Sequence, residues 1–448
     1  MEDGQFNQHK HIMKKIKLVI SLSILIGLIS CSKNETGTVD ESPKINVVDK
    51  NTKYSTNQSI ILIKPFSTMY VYAEPVKIIK VNETYQLIAS YAELFGTDYD
   101  YLRSFEIDST SGKLTENTLN FLGEYKEVGF TKSPLIYEDL NSDGVKDLFV
   151  VDHGKETPQL MINGFFPGYV NHLYYGKSDG KFSKKDIINL TDIKRFHHSA
   201  TAGDIDSDGD VDLVLQSFSS EEMIIFKNNN GLSKDFVYNP NNSTGAVLIV
   251  DIDGDNVRDL ISAPYIDRGS IPSSTVLKIN FSGATTNSSK ISAVNPFGSN
   301  YGCFKIEAIK NLMSASKKSM IYLVEGGIGD QKVFKSLDED FSKIIDLSSV
   351  QSTHKLDGIR DCIVIDINFD GYDDLFFIVN QGKNLNQRIW INKGDNTFEN
   401  PDFDIDVNLK DLFVPLSGDK KNGRMKFLYY NNTANSPSSR IVDVYTKK

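Results

Sequence analysis

The chain has 448 residues, of which 40% are hydrophobic and 24% are charged, as in ordinary globular proteins. This length suits two or three separate domains or one large array of repeats. The formal net charge of −10 argues against nucleic acid as a partner, because proteins that bind nucleic acid carry a basic surface.

The N-terminal segment has the pattern of an export signal. An apolar run over residues 18–29 follows Lys14, Lys15 and Lys17 and is too short to cross a bilayer comfortably. The run ends in Leu-Ile-Ser-Cys, which resembles the lipobox of bacterial lipoproteins, where the Cys is acylated and becomes the N-terminus. This resemblance implies a signal peptide over residues 1–30 and a lipid on Cys31. A secreted protein with an incidental Cys31 is the alternative.

The anchor predicts a location in the bacterial cell envelope, with the lipid as the only contact with a membrane. We expect the outer membrane, with the protein facing either the surface or the periplasm. Residues 31–53 are polar and contain no aromatic residue, so we interpret them as the lipidated Cys and a flexible tether. From Tyr54 onward short strands and turns predominate, which predicts one all-β domain over residues 54–448.

Four loops share one acidic pattern. They begin at residues 139, 204, 251 and 366, and each places Asp or Asn at positions 1, 3, 5 and 9 and Gly or Asn at position 6. Gly and Asn tolerate the positive φ that a sharp turn requires there. Oxygen ligands from alternate residues suit a hard cation, so the pattern predicts about four structural calcium ions. The predicted ligands are Asp139, Asn141, Asp143, Asp147, Asp204, Asp206, Asp208, Asp212, Asp251, Asp253, Asp255, Asp259, Asp366, Asn368, Asp370 and Asp374.

Two other interpretations of these loops were weighed. An EF-hand requires Glu at position 12, where this chain has Val150, Leu215, Ser262 and Phe377, and the residues after each loop have a β-like pattern. An acidic turn that stays solvated and binds no metal is the second interpretation. Four copies in one chain favour metal binding over a solvated turn.

The spacing of the loops predicts a repeat architecture. The intervals between their first residues are 65, 47 and 115, and the last equals two periods of about 57. Units without acidic ligands are therefore expected near residues 82, 309 and 418, which makes seven units. Seven units of four strands predict a seven-bladed β-propeller, with the calcium loops between strands 1 and 2 of a blade.

The acidic loops, together with hairpins such as Leu173-Tyr-Tyr-Gly-Lys-Ser-Asp-Gly-Lys-Phe182, resemble the FG-GAP repeats. These repeats, also called VCBS repeats, occur in integrin α-subunit propellers and in many bacterial surface proteins. The resemblance covers about residues 77–430. It implies that the calcium loops are structural and that ligands bind the opposite face, which the loops between strands 2 and 3 and between blades form. Three units depart from the family by lacking the ligands, and Asn256 replaces Gly.

The predicted ligand face carries long loops rich in aromatic residues and histidines. One loop spans residues 152–172 and the next on that face spans residues 192–199. Long loops are usually functional, and aromatic rings beside polar groups suit glycan or peptide binding. The candidate ligand-binding residues are Tyr99, Tyr101, His153, Phe165, Phe166, Tyr169, Arg195, His197 and His198. The alternatives are that His197 or His198 caps a loop and that Phe165 and Phe166 plug the top of the channel. Packing is the expected role of His172 and Trp390.

Three functions remain open from the sequence. The first is binding of a glycan or protein partner in adhesion, capture or assembly. The second is a polysaccharide lyase or hydrolase acting through His153, His198, Tyr169 and Arg195, although no known catalytic motif is present. The third is a purely structural role. The two remaining cysteines, Cys303 and Cys362, are expected to be buried free thiols, with a disulfide as the alternative.

Overall fold

Almost all regular structure in the described part of the chain is β-strand. The computed structural model describes residues 45–49, 54–55, 71–72, 76–89, 92–93, 100–124, 126–128, 133–154, 161, 166–192, 194–217, 222–238, 244–264, 276–282, 285–291, 296–298, 301–310, 318–327, 330–337, 342–347, 359–379, 388–401, 412–431 and 438–446. Helix within these residues consists of Thr118–Leu122, a 3-10 turn at Lys420–Asn422 and the single 3-10 residue Arg388. None of the helices among them is long and apolar enough to cross a membrane. The predicted signal peptide and Cys31 lie outside the described residues.

Most strands of the described residues belong to seven antiparallel sheets of four or five strands, numbered here as blades 1 to 7 in chain order. Blade 1 consists of Val76–Val81, Thr84–Ala89, Asp100–Ile107 and Leu114–Glu116, with Lys126–Val128 added beside the third strand. Blade 2 consists of Ser133–Glu138, Asp147–Val151, His172–Gly176 and Phe182–Lys185. Blade 3 consists of His197–Gly203, Asp212–Ser217, Glu222–Asn228 and Leu232–Tyr238. Blade 4 consists of Thr244–Val250, Asp259–Pro264, Leu277–Ser282 and Thr285–Lys290.

The remaining blades follow the same order of strands. Blade 5 consists of Gly302–Lys310, Lys318–Gly327, Asp330–Ser336 and Ile344–Asp346. Blade 6 consists of Ile359–Ile365, Asp374–Val379, Ile389–Asn392 and Phe398–Glu399. Blade 7 consists of Leu412–Asp419, Arg424–Asn431, Ser438–Thr446 and Ile45–Asp49. Two short strands, Val71–Tyr72 and Ala92–Glu93, pair with each other, and Tyr54–Ser55 pairs with the third strand of blade 7.

Hydrophobic clusters join each blade to the next and close the ring. Every cluster combines buried side chains of two neighbouring blades, because both faces of a blade are apolar and need cover. Representative pairs for successive junctions are Ile88 with Leu148, Phe149 with Leu215, Val214 with Leu260, Ala246 with Tyr322, Leu323 with Leu375, and Phe376 with Phe427. The last junction packs Leu428 of blade 7 with Leu87 of blade 1. The predicted all-β, seven-bladed propeller is therefore confirmed, with the ligand-poor units as blades 1, 5 and 7.

The fourth strand of blade 7 comes from the N-terminal part of the chain. Ile45–Asp49 pairs antiparallel with the third strand of that blade, from Ile45 opposite Thr446 to Asp49 opposite Val442. The sequence analysis placed these residues in the tether because they contain no aromatic side chain. Their backbone instead pairs with Ser438–Thr446, whose outer hydrogen-bonding groups would otherwise form an open sheet edge. The compact unit accordingly begins at Pro43.

The two remaining cysteines are free and buried, as expected. Cys303 lies in the first strand of blade 5 and packs at the junction of blades 4 and 5. Cys362 lies in the first strand of blade 6 and packs at the junction of blades 5 and 6. They belong to different clusters, and both act as small apolar core residues.

Candidate functional site

The four acidic loops all connect strand 1 to strand 2 of a blade, in blades 2, 3, 4 and 6. Position 6 of every loop has a positive φ, as the Gly or Asn there predicts. Position 4 also has a positive φ in every loop, although Phe369 and Ser142 are not residue types that predict it. The residues concerned are Ser142, Ser207, Gly254 and Phe369 at position 4 and Gly144, Gly209, Asn256 and Gly371 at position 6.

Carboxylate oxygens converge in two of the loops. The converging groups are Asp204, Asp206 and Asp208 in blade 3 and Asp251, Asp253 and Asp259 in blade 4, with their oxygens within 4.8 Å of one another. The loops of blades 2 and 6 carry Asn141 and Asn368 at position 3, so they combine carboxylates with an amide oxygen. Oxygen-only ligand sets of this kind are the chemistry that calcium prefers.

The first carboxylate of each loop shapes the turn through backbone hydrogen bonds. The N–H of position 6 donates to Oδ2 of position 1 at 2.7 Å in blade 2, 3.0 Å in blade 3, 3.1 Å in blade 4 and 3.1 Å in blade 6. This bond fixes the position 1 carboxylate against the tight turn. The loops are therefore already folded around their ligand oxygens.

Several ligand oxygens are buried without a hydrogen-bond donor. Among the described residues, Oδ1 of Asp206, of Asp253 and of Asp366 has no hydrogen-bond partner. A buried carboxylate oxygen without a partner is costly, so each of these atoms fits the role of a cation ligand. The residues present thus fit calcium. If bound, a calcium ion would be held by oxygens of positions 1, 3, 5 and 9, and the oxygens that converge are those of positions 1, 3 and 5 in blade 3 and of positions 1, 3 and 9 in blade 4.

The carboxylate at position 9 begins strand 2 and bonds to both the acidic loop and the end of strand 3. Its Oδ2 accepts a hydrogen bond from the N–H of position 2, at 2.8 Å in the Asp147 and Asp374 loops and 3.0 Å in the Asp212 loop. In these three loops its Oδ1 accepts from the end of strand 3, at 2.8 to 2.9 Å. Burial raises the pKa of Asp147 to about 7, of Asp212 to about 6 and of Asp374 to about 8. A cation beside these carboxyls would favour their ionised form.

On the opposite face, the loop after strand 2 of blade 2 is attached to the segment that leads into blade 3. The N–H of Tyr169 donates to the carbonyl of Arg195 at 3.3 Å, and the N–H of Arg195 donates to the carbonyl of Tyr169 at 3.1 Å. Two glycines with positive φ make this close approach sterically possible. A Cβ at Gly168 would collide with the backbone of Arg195, and one at Gly154 would lie 2.6 Å from the carbonyl carbon of Gly168.

Beneath this pairing lies a buried polar layer. The N–H of Asp152 donates to Oδ1 of Asn171 at 3.1 Å, and Nδ2 of Asn171 donates to Nδ1 of His197 at 3.2 Å. Nε2 of His172 lies 3.5 Å from Oδ2 of Asp152. All four side chains are at most 2% exposed. Burial, and to a smaller extent the positive charge of Arg195 and the nearby His153, together lower the pKa of His197 to about 3.

An aromatic stack covers the same layer. The ring of His153 stacks on Phe196 with centroids 4.3 Å apart, and Phe166 packs on Phe196 at 5.5 Å. Nδ1 of His153 lies 2.7 Å from the carbonyl oxygen of Gly154. His153 is fully buried, so it packs within the face and does not project from it.

A partly exposed rim surrounds the stack. Phe166, Tyr169 and Arg195 are all half-buried. Nζ of Lys194 lies 5.4 Å from the ring centroid of Tyr169, and Nη1 of Arg195 lies 3.3 Å from Oε2 of Glu222. The rim therefore presents aromatic surface beside charged groups of both signs, a combination found in sites that bind glycans or peptides in water.

The structure brings His153, Phe166, Tyr169, Arg195 and His197 together, as their places in the sequence suggested. Tyr99 and Phe165 lie outside the described residues. Only the backbone is described for Tyr101, in the third strand of blade 1, and for His198, in the first strand of blade 3. The sequence analysis missed Lys194 and Glu222. Lys194 could have been predicted, because it directly precedes the candidate residue Arg195. Glu222 could not, because it begins the third strand of blade 3 and is far in sequence from the two loops.

A family model described as FG-GAP-like repeat matches residues 139–215, from the acidic loop of blade 2 to strand 2 of blade 3. No curated protein matches the chain. Two similar solved structures are a selenomethionine-substituted virginiamycin B lyase from Staphylococcus aureus and a catalytically inactive variant of that lyase with quinupristin. The first has 12% identity and a TM-score of 0.44 and covers 90% of this chain and 99% of that one. The second has 11% identity and a TM-score of 0.35 and covers 75% and 96%. Neither likeness carries a functional inference.

Proposed function

We propose that this protein is a calcium-stabilised β-propeller that binds a glycan or protein partner through the face opposite its calcium loops. A lipid on Cys31 would hold it in the bacterial cell envelope. The FG-GAP-like repeat over residues 139–215 and the seven-bladed fold supply the framework. The binding role rests on the arrangement of side chains on the opposite face.

The observation that carries the proposal is the rim built around the Tyr169–Arg195 backbone pairing. Two reciprocal hydrogen bonds hold the backbone of Tyr169 against that of Arg195, and two glycines with positive φ make the approach possible. The buried layer of Asp152, Asn171 and His197 supports this pairing from below. A binding surface whose side chains are held in place before the ligand arrives loses less entropy on binding. Such support is what a recognition site requires.

The calcium loops contribute stability in this proposal. They lie at the other end of the blades, where position 9 already ties the loop to strands 2 and 3. Ions bound there would neutralise carboxylates that burial otherwise makes hard to ionise. Binding of calcium to the native state alone would stabilise the ring by mass action.

A polysaccharide lyase or hydrolase using the same face is the second candidate. What favours it is that Tyr169 and Arg195 are held side by side, as a proton-transfer group and a charge-neutralising group would need to be. His153 fits that role less well, because it is fully buried and its ring stacks on Phe196. It would have to become accessible before it could exchange a proton with a substrate.

A binding and turnover screen separates the two candidates. The full chain with calcium would be tested against a panel of acidic and neutral polysaccharides, following both retention and new unsaturated or reducing ends. Tyr169→Ala and Arg195→Ala are the test variants, and Lys181→Ala, exposed in the blade 2 hairpin on the calcium face, is the control. Retention that only the test variants lose supports the binding proposal. Product formation would establish the enzyme, and retention unaffected by either test variant would contradict both.

A further inference from the structure

The acidic loop of blade 4 differs from the other three in having a lysine among its carboxylates. Nζ of Lys278 lies 3.1 Å from Oδ1 of Asp259 and also contacts Oδ2 of Asp253. Both aspartates belong to the converging group of this loop, whose third member is Asp251. The side chain of Lys278 is only 11% exposed, so its ammonium group is placed inside the loop and away from bulk water.

The lysine is specific to blade 4. In each of the four blades the leucine that follows position 9 of the loop pairs with one residue of strand 3. That residue is Ile279 in blade 4, Tyr174 in blade 2, Phe226 in blade 3 and Trp390 in blade 6. The preceding residue is therefore Lys278 in blade 4, and the matching residues elsewhere are the buried and apolar Leu173, Ile225 and Ile389. A cation at this position on strand 3 is thus a property of one blade out of the four.

The hydrogen bonds at position 9 differ in the same way. In blades 2, 3 and 6 the Oδ1 of the position 9 Asp accepts from a backbone N–H at the end of strand 3. In blade 4 the same oxygen of Asp259 faces the ammonium of Lys278. An ammonium group offers three donors and a positive charge, which is what two neighbouring carboxylates, the buried Asp259 and the partly exposed Asp253, need.

Blade 3 supplies a comparison, because a lysine also approaches its loop. Nζ of Lys227 lies 3.1 Å from Oδ2 of Asp206, but it is shared with Asp235 at 3.3 Å and is 26% exposed. It contacts one member of its converging group, whereas Lys278 contacts two members of the group in blade 4. Lys227 therefore lies at the edge of the blade 3 loop, whereas Lys278 lies within that of blade 4.

We propose that the Lys278 ammonium takes the place of calcium in blade 4, so that this loop is a metal-independent version of the other three. The proposal rests on calcium binding by the loops of blades 2, 3 and 6, as described under the proposed function. A calcium ion could enter the blade 4 loop only by displacing a largely buried ammonium from two carboxylates. Breaking a buried ion pair is strongly unfavourable, so the wild-type site should bind calcium weakly or not at all.

Calcium stoichiometry of the full chain tests this assignment. Equilibrium dialysis with radioactive calcium would compare wild type with Lys278→Met, which keeps the length of the side chain and removes its charge, and with the matched control Lys227→Met. We expect three tight sites in wild type and in the control, and four in Lys278→Met. Four tight sites in wild type would overturn the proposal, and so would three in Lys278→Met.

A second pair of variants keeps the test decisive if Lys278→Met does not fold. Asp253→Asn removes a carboxylate from the blade 4 loop and Asp206→Asn removes one from the blade 3 loop. The expected result is that Asp206→Asn loses one tight site and Asp253→Asn loses none. Loss of a tight site in Asp253→Asn would contradict the role of Lys278 while leaving calcium binding by the propeller intact. Absence of tight calcium sites in wild type would instead refute the calcium assignment itself, and this inference with it.

Discussion

Nδ2 of Asn171 donates a hydrogen bond to Nδ1 of His197 at 3.2 Å, and this contact joins the buried interiors of blades 2 and 3. Because Nδ1 accepts, the proton of the neutral imidazole is on Nε2. Nε2 is buried and has no hydrogen-bond partner among the described residues. A second proton would place a positive charge in this layer beside Arg195, which is why the pKa of His197 is lowered to about 3.

The first prediction concerns the pH dependence of stability. Since the pKa of His197 falls from 6.5 in the unfolded chain to about 3 in the fold, the unfolded state binds the extra proton first. The stability that depends on neutral His197 is complete above pH 6.5 and is lost as the pH falls toward 3. Its slope approaches about 1.4 kcal/mol per pH unit between these values.

Urea unfolding between pH 5 and 7, followed through the buried Trp390, checks this prediction. The free energy of unfolding should fall less steeply with decreasing pH in His197→Gln than in wild type. Lys181→Ala should retain the wild-type slope. Equal slopes in His197→Gln and wild type would show that His197 is protonated in the folded protein.

The second prediction concerns the glycine beneath Arg195. Gly168 has φ +71° and has no room for a Cβ, because the backbone of Arg195 occupies that space. Gly168→Ala should therefore cost roughly 1–3 kcal/mol of stability and weaken ligand retention on the same face. Gly144→Ala is the matched control, with φ +84° and nothing within 4 Å of the added Cβ. If thermal melts show the same loss of stability for Gly168→Ala and Gly144→Ala, the effect is due to the positive φ alone and not to the contact with Arg195.

The third prediction concerns calcium removal. A site filled at 100 times its dissociation constant adds about 2.7 kcal/mol to the free energy of unfolding, so several filled loops should raise the melting temperature by many degrees. Differential scanning calorimetry in calcium and in a chelator measures this shift, with magnesium as the control ion because it is smaller and retains its water. A melting temperature unchanged by the chelator would be incompatible with the calcium assignment.

The fourth prediction concerns the anchor. Cys31→Ser should abolish incorporation of labelled fatty acid and move the protein from the membrane fraction to the soluble fraction, since the lipid is the proposed attachment. Ser32→Ala, which changes the neighbouring residue, should leave both properties unchanged. Labelling that persists in Cys31→Ser would place the lipid on another residue, and absence of labelling in wild type would exclude the lipid.

The features that repeat along the chain could be predicted from the sequence. Four copies of one loop indicated the blade, its strand order and the total of seven, because a repeated pattern carries information that no single copy does. Position 6 of the loops was predicted for the same reason. The positive φ of Phe369 was not, because the turn imposes it on a residue whose own preference is different.

Features that depend on contacts between distant segments could not be predicted. The pairing of Ile45–Asp49 with the last strand joins residues about 400 apart, and no local pattern reports it. In the sequence, Lys278 resembles any other polar residue of a strand. Its contact with the acidic loop follows only from the pairing of strand 3 with strand 2. His153 was predicted to bind ligand, but its full burial against Phe196 depends on a contact between two separate loops.

The pairing of Ile45–Asp49 with Ser438–Thr446 also constrains the order of folding. The segment that completes blade 7 is synthesised before the other strands of the ring, and the strand it pairs with is the last of them. The ring therefore remains open until this last strand has been synthesised, and closing it brings together segments about 400 residues apart, a slow step for a β-rich topology. Until then the edge of blade 7 is an unpaired template for other chains. A chain shortened by a few strands at its C-terminus would lose the partner of its first strand and could not close in this way.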